Sequence, residues 1–299
     1  TGLAAFFRAQ EDPNKLQAYF TQHKCEAWAE KVESKSDSEL LEHKNDLPPG
    51  VVPDWAVALT CGIDTQKIGF WFVVRAWAAD YTSWLIHYGT VPHWEDVERI
   101  LFGTEYPKDD GTVFRVARGA VDTGGGKGEQ GLTMTEETYW WLRYNGVGRG
   151  CRVFGTKGAS RPLAGKLQMR KPFDKAPSGK AIPGGLQIIM VDTAQMKDAY
   201  HYRINQAVED LPQGAYLHAK TGRDYINQIL AEVKETDEKG REVWVQKRAD
   251  NHLLDCECLA MLAADPEWPG GGIHTFARAR RGRPKPKAPN GRGYLNKGR

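Results

Sequence analysis

No apolar run in this 299-residue sequence is long enough to cross a bilayer, and no paired-cysteine framework is present. A membrane-spanning helix needs about 20 consecutive apolar residues. The N-terminal segment TGLAAFFRAQEDPNK also lacks the layout of a signal peptide. These absences predict a cytoplasmic protein that has no membrane partner.

The cysteines and histidines are too scattered to indicate a zinc site or a nucleophilic triad. The five cysteines are odd in number and lie mostly in apolar sequence, which is typical of buried thiols in a reducing compartment. Cys256 and Cys258 are separated by one residue, whereas zinc and redox pairs have two between them. The chain contains no GxSxG and no GxxxxGK(S/T) motif, so neither a serine hydrolase nor ATP hydrolysis is predicted.

Acidic residues are missing from the C-terminal end. Residues 268–299 contain nine Lys or Arg and no Asp or Glu, which leaves 32 basic against 38 acidic residues in the rest of the chain. The Pro/Gly-rich segment 267–299 cannot bury enough apolar surface to fold alone, so we predict a disordered basic arm. Such an arm contacts phosphate backbones or acidic partner surfaces, unless it serves only to keep the protein in solution.

The chain divides at DLPPGVVPDW, where three prolines and a glycine follow the polar segment 1–48. From there AVALTCGI, KIGFWFVVRAWA and YTSWLIHYGTV form three apolar, β-branched and aromatic runs with short breaks. Such runs predict an antiparallel meander of three strands. Helical and strand patterns alternate afterwards, so residues 49–266 are predicted to form an α/β fold, a mixed sheet flanked by helices. That order of elements is the order of the ribonuclease H-like fold.

The first strand pattern ends with an acid, Asp64, in the stretch ALTCGIDTQKIGF. A hairpin turn is one explanation, because Asp can bond its own backbone there; a metal ligand is the other. Alternation along the strand puts Asp64 on the face of Ala58, Thr60 and Gly62. We interpret these small residues as clearance for metal ions and DNA beside the carboxylate.

Two further acids occupy comparable positions. Asp122 closes the strand pattern RVARGAV and precedes the glycine-rich TGGGKGEQ, and such strand ends collect ligands in α/β sheets. Asp255 lies on the packing face of the helical pattern NHLLDCECLAMLAA, where a buried carboxylate needs a partner. That partner is either His252 with a nearby base, or a metal ion shared with Asp64 and Asp122. Three carboxylates suit Mg²⁺ or Mn²⁺, and two such ions about 3.5–4 Å apart can hydrolyse a phosphodiester bond.

A basic stretch between two strand patterns is the candidate DNA-contacting element. Residues 157–183 are predicted to form a long loop with seven bases against one acid. Neutralised phosphates would release counterions and make binding depend on salt. A solvated surface loop is the alternative. The basic residues, together with one from the glycine-rich segment, are Lys127, Lys157, Arg161, Lys166, Arg170, Lys171, Lys175 and Lys180.

Four segments resemble the nuclease half of the lambda-type (GpA-like) large terminase subunits of tailed phages. They are WAVALTCGIDTQKIGFWFVVRAW, GAVDTGGG, IIMVDTAQMKDAYHYRI and NHLLDCECLAMLAA. The resemblance runs over about residues 49–265, and the preceding segment is similar to the end of the ATPase half and the linker.

The resemblance implies a ribonuclease H-like endonuclease that uses Mg²⁺ or Mn²⁺, with two ions expected, to cut concatemeric phage DNA during packaging. It implies metal ligands at Asp64, Asp122 and Asp255. His252 stands where members of the family often have an acid, and Asp192 and Asp198 are secondary candidates for which a structural role is favoured. The implied partners are double-stranded DNA, a small terminase subunit, the portal of the procapsid, and an ATPase domain normally in the same chain. The implied location is the host cytoplasm.

Two other functions are compatible with the residues. One is a related ribonuclease H-like transposase or junction resolvase, which would show strand transfer or selective cutting of four-way junctions. The other is a non-catalytic module that docks DNA or the portal through the basic arm.

Overall fold

The computed structural model describes residues 36–42, 44–124, 133–148 and 150–281. Most of the predicted N-terminal segment, Lys127 and the last part of the predicted basic arm, residues 282–299, lie outside these ranges. No helix among the described residues combines the length and the apolar character that a membrane span requires.

A meander of three long strands forms the first part of the sheet. A short helix α1 (Asp37–Glu42) precedes β1 (Ala58–Thr65), β2 (Phe70–Trp77) and β3 (Ser83–Val91). Both pairings, β1 with β2 and β2 with β3, are antiparallel, as the short breaks between the apolar runs predict.

Helices and strands then alternate. The next elements are α2 (Trp94–Glu98), which continues as a π-helical turn (Arg99–Gly103), a hairpin of β4 (Tyr106–Pro107) and β5 (Val113–Phe114), β6 (Val116–Asp122), α3 (Met134–Asn145), β7 (Val147–Gly148) and β8 (Cys151–Gly158). Thr133 caps α3 by accepting a hydrogen bond from the Glu136 backbone N–H. β6 runs parallel to β1, and β8 runs parallel to β6.

The rest of the described chain supplies the strands at both edges of the sheet, together with four helices. Its elements are β9 (Leu167–Met169), β10 (Phe173–Lys175), β11 (Ala181–Leu186), β12 (Ile189–Val191), α4 (Thr193–Val208), β13 (Ala215–Tyr216), α5 (Arg223–Ile229), β14 (Glu232–Thr236), β15 (Glu242–Gln246), α6 (His252–Ala264) and α7 (His274–Arg281). The sheet order is β13-β3-β2-β1-β6-β8-β12-β9, with β7 paired to β8, so β13 lies at one edge and β12 and β9 lie at the other. The predicted α/β fold, a mixed sheet flanked by helices, is therefore confirmed.

The basic stretch 157–183 is not one long loop. It contains β9, which pairs with β12, and β10, which pairs with β11. Phe173 and the buried Ile182 belong to a small apolar cluster around Tyr139 of α3. Three-residue apolar patterns do not reveal these strands, because β9 depends on pairing with β12 and β10 on pairing with the adjacent β11.

The two faces of β1 pack against different helices. Leu59, Cys61 and Ile63 lie in the apolar cluster beneath α2 and α3. The other face lies against α6: a Cβ on Gly62 would lie 1.9 Å from the Cys256 carbonyl oxygen, and Thr60 Oγ1 donates to the Ala260 carbonyl at 2.7 Å.

The interpretation of Ala58, Thr60 and Gly62 as clearance for ions and DNA is therefore wrong. These residues are small because the backbone of α6 lies directly on the strand. Only the end of this face, where Asp64 lies, is open to a cleft.

One irregularity sets the register between β1 and β6. Leu59 lies opposite Val116, but the next residue, Thr60, lies opposite Arg118, so Ala117 is an extra residue on β6. Beyond this bulge the pairing is regular up to Ile63 opposite Val121.

Packed structure extends beyond residue 266 at one end and before residue 49 at the other. Trp268 and Ile273 are buried in the main core, and α7 follows them. Leu40 of α1 belongs to the same core, and Asp37 forms an ion pair with Arg248.

Candidate active site

Three acids from three elements line one cleft. Asp64 is the penultimate residue of β1, Asp122 is the last residue of the neighbouring parallel strand β6, and Asp255 lies in the first turn of α6, which crosses β1, β2 and β6. The cleft has a volume of about 320 Å³ and continues into a wider trough of about 590 Å³, and all three acids line both. The structure thus brings together the three acids that the sequence singles out.

Hydrogen bonds hold two of these carboxylates. Asp64 Oδ2 accepts from Gln66 Nε2 at 2.7 Å and lies 2.8 Å from His252 Nδ1. Asp255 Oδ2 accepts from Asn251 Nδ2 at 3.2 Å. Within the described ranges, no three His, Cys, Asp or Glu side chains are already gathered tightly enough to form a metal-binding group. The three carboxylates therefore share a cleft, and Asp64 and Asp255 are each bonded to neighbouring side chains.

The pKa values of two of the acids are raised. Burial, and then the charges of Asp64 and Asp255, raise the pKa of Asp122 to about 7, against the backbone N–H groups of Gly124 and Thr123, which lower it. Burial, followed by Asp64 and Glu232, raises the pKa of Asp255 to about 6, although Lys197 opposes this. Gathering partly buried carboxylates disfavours their ionised forms, and a nearby cation favours those forms.

The donor set fits a hard divalent cation. Carboxylate oxygens are the ligands that Mg²⁺ and Mn²⁺ prefer. Asp64, Asp122 and Asp255 all line the trough, and positive charge bound there would reduce the repulsion among them. The three acids are therefore suited in type and position to hold such an ion.

Lys197 is a cleft residue that sequence reasoning missed. Its Nζ lies 2.5 Å from Glu232 Oε1 and 3.8 Å from Asp255 Oδ1, and the side chain is 12% exposed. In the segment VDTAQMKD, the two acids Asp192 and Asp198 were secondary candidates for the site, whereas Lys197 was not predicted to belong to it. The cleft-facing side of α4 could not be identified before its packing was known, because the helix also buries polar residues such as His201.

The two secondary acids of that segment have structural roles. Asp192 caps α4 by accepting from the Gln195 backbone N–H at 3.1 Å, and it also accepts from the Leu163 N–H at 2.9 Å. Asp198 accepts from Trp244 Nε1 at 3.0 Å and pairs with Lys234 at 3.0 Å. Neither acid lines the cleft.

His252 lies in the candidate site. Besides its contact with Asp64, it lines the trough and stacks on Trp71, with ring centroids 5.5 Å apart. The hydrogen bond to Asp64 raises the pKa of His252. His252 and Gln66 therefore both hold the Asp64 carboxylate through the same oxygen atom, Oδ2.

The basic residues predicted to contact DNA fall into three groups. Lys157 lines the cleft beside the acids. Lys166 is 12% exposed and pairs with Asp265 at 2.7 Å, so its charge stabilises the fold. The remaining ones are exposed, two of them above aromatic rings: Arg161, Lys171, Lys175, Arg170 over Phe173, and Lys180 over Trp140.

Comparison with known families gives a match over most of the chain. The family described as terminase large subunit gpA, endonuclease domain, matches residues 3–267. The terminase large subunit of Enterobacteria phage P21 is 27% identical over 273 residues, covering 85% of this chain and 39% of that protein. For the terminase large subunit of Escherichia phage lambda the identity is 24% over 276 residues, covering 86% and 40%. The chain thus spans about two fifths of the length of these relatives.

Two solved structures resemble the fold at low sequence identity. A mutant nuclease domain of the large terminase subunit gp2 of bacterial virus Sf6, with manganese, is 12% identical, covers 75% of this chain and 96% of its own, and gives a TM-score of 0.46. The large terminase nuclease of thermophilic phage G20c, with bound magnesium, is 13% identical, covers 75% and 95%, and gives a TM-score of 0.39.

Proposed function

Because this chain belongs to the family of terminase large subunit gpA endonuclease domains, we propose that it is a metal-dependent endonuclease that cuts double-stranded DNA. The observation that carries this proposal is the common cleft of Asp64, Asp122 and Asp255, contributed by β1, β6 and α6. In the full-length protein the substrate would be concatemeric viral DNA, cut during genome packaging.

The three carboxylates would hold Mg²⁺ or Mn²⁺, and we propose two ions. Ions held by these carboxylates would supply the activation of a water molecule and the stabilisation of the leaving oxygen that hydrolysis of a phosphodiester bond needs. Asp122 must release a proton to act as a ligand near neutral pH, since its pKa is about 7. Asp64 is kept in place for this task by Gln66 and His252.

Basic groups beside the acids would receive the DNA backbone. Lys157 lines the cleft, and the exposed bases of the segment 157–183 follow it along the chain. Contacts of this kind go to phosphates and carry no sequence information, so the choice of cutting site would come from elsewhere.

The remaining functions would belong to the rest of the assembly. The chain spans about two fifths of its relatives, so ATP hydrolysis is assigned to the part of the full-length protein that lies outside it. A small terminase subunit and the portal of the procapsid are the partners that packaging requires, and the host cytoplasm is where it would take place.

Cleavage of supercoiled plasmid in Mg²⁺ or Mn²⁺ tests the proposal. Wild-type protein should nick and then linearise the plasmid, and Asp64→Asn should slow this at least about a hundredfold, since even residues that only support a metal ligand contribute about 10–100-fold. Asp198→Asn is the matched control, because it makes the same change outside the cleft and should leave the rate near that of the wild type.

Equal cleavage by wild type and Asp64→Asn would refute the site. Strand transfer, or cutting confined to four-way junctions, would favour a transposase or a resolvase instead. DNA binding with no cleavage by the full-length assembly would favour a docking module.

A further inference from the structure

An isoleucine projects into solvent at the tip of the β1–β2 hairpin. Ile68 is 95% exposed, the highest exposure among the large apolar side chains of the described residues. It belongs to neither of the two large core clusters, and the small one around Tyr139 does not include it either. The side chain therefore contributes nothing to the packing of the fold.

The backbone of this tip is fixed. The strands stay paired up to Thr65 opposite Phe70, and the Gln66 N–H donates to the Gly69 carbonyl at 3.1 Å. Gly69 has φ +83°, a left-handed conformation that glycine adopts without strain and that closes this tight turn. Ile68 is thus presented at a defined position rather than on a long loop.

The tip lies at the candidate active site. Ile68 and its neighbour Lys67 line the same trough of about 590 Å³ as Asp64, Asp122 and Asp255. The turn is tied to the site, because the Gln66 side chain donates to Asp64 Oδ2 at 2.7 Å. A DNA duplex placed with a phosphate at the acids would pass beside Ile68.

An exposed aliphatic side chain beside bound DNA can insert between base pairs. Apolar residues such as Ile, Leu and Met act as wedges that enter between base pairs, unstack them and kink the duplex. A neighbouring lysine supplies a phosphate contact that fixes the position of such a wedge.

We propose that Ile68 is a DNA wedge, which enters between neighbouring base pairs of the bound duplex and presents the adjacent phosphate to the acids, while Lys67 contacts the backbone. This inference rests on the proposed function, because it assumes that duplex DNA occupies the trough. It assigns a positioning role to the hairpin tip and leaves the chemistry to the carboxylates.

Base unstacking can be measured apart from cleavage. The Asp64→Asn protein in Mg²⁺ would be added to duplexes that carry 2-aminopurine at successive positions, since this base fluoresces more strongly when it is unstacked. We expect fluorescence to rise severalfold at one step on binding. The rise should be lost with Ile68→Ser, kept with Ile68→Leu, and kept with Val113→Ser, a change at another exposed aliphatic residue that lies outside the trough.

The same substitutions in the otherwise wild-type protein separate the wedge from the nuclease. Ile68→Ser should lower plasmid cleavage, and Ile68→Leu should restore it. Cleavage without any 2-aminopurine signal would refute the wedge and leave the nuclease intact. A signal that depends on Ile68 in a protein that never cleaves would refute the nuclease and leave the wedge. An equal signal from Ile68→Ser, or no duplex binding at all, would refute the wedge.

Discussion

At the scale of single residues, Gly62 decides how closely α6 can approach the sheet. The backbone of α6 occupies the space that a side chain at position 62 would need. A Cβ there would lie 1.9 Å from the Cys256 carbonyl oxygen and 2.6 Å from the Ala260 nitrogen. Backbone atoms cannot turn aside as a flexible side chain can. Gly62 therefore controls the position of Asp255 on the helix relative to Asp64 on the strand.

Gly62→Ala should be strongly destabilising. Overpacking of this kind typically lowers the free energy of unfolding by about 1–3 kcal/mol, and urea denaturation would measure it. Gly103→Ala is the control, because a Cβ at Gly103 meets only the Arg99 side chain, at 3.7 Å. Equal effects of the two substitutions would contradict the close contact between β1 and α6.

The acids were predictable at this scale, and their neighbours were not. A carboxylate at the end of an apolar strand, as at Asp64, stands out against its surroundings. Lys197 and Gln66 do not, because a base on a helix or an amide in a turn is ordinary in a soluble protein. Their roles depend on which way α4 and the hairpin face in the folded protein.

At the scale of elements, a buried ion pair fastens α6 to the meander. Arg75 of β2 and Glu257 of α6 are both fully buried, with Arg75 Nε 2.5 Å from Glu257 Oε2. Ser83 accepts from Arg75 at 2.9 Å, and the Tyr225 hydroxyl donates to Glu257. Because Asp255 lies two residues before Glu257, the same contacts fix the part of the helix that carries the acid.

Glu257→Gln should cost about 3–5 kcal/mol of unfolding free energy, since it leaves the Arg75 guanidinium buried without its counterion. Thermal or urea unfolding would measure the loss. Glu242→Gln provides the comparison, because its ion pair with Lys234 involves a carboxylate that is 67% exposed and should contribute less than about 1 kcal/mol. Replacing Arg75 and Glu257 together by Met should recover part of the lost unfolding free energy. If Glu257→Gln were no more destabilising than Glu242→Gln, the buried ion pair would not stabilise the fold in this way.

Long elements were easier to predict than short ones. The meander and α6 carry continuous apolar patterns and appear where the sequence places them. The strands β9 and β10 have three residues each and depend on pairing with β12 and β11, so a basic loop was predicted in their place. The apolar pattern of α6 likewise gave its existence but not its contact with Gly62.

At the scale of the whole molecule, the cleft makes stability depend on pH. Asp122 has a folded-state pKa of about 7 against an ordinary value of 3.8, so the folded protein holds this proton more tightly than the unfolded chain. The corresponding stability is present at low pH and is lost as the pH rises through about 7.

Without divalent ions, wild-type protein should lose about 1 kcal/mol of unfolding free energy relative to Asp122→Asn between about pH 6 and about pH 8. The comparison with the variant cancels titrating groups that do not interact with Asp122, such as His201, whose pKa is lowered to about 4. Urea denaturation in EDTA at both pH values is the measurement. A constant difference between the two proteins would show that Asp122 does not titrate in this range.

The extra residue of β6, Ala117, limits where a residue can be inserted or deleted in this chain. If the pairing of Leu59 with Val116 continued without interruption, Asp122 would lie opposite Thr65, and its side chain would be on the face of the sheet away from Asp64. Ala117 corrects the phase by one residue and returns both acids to the same face. A one-residue deletion in β6 would therefore separate the two carboxylates without removing either, whereas the loops that join the strands can vary in length without affecting this match.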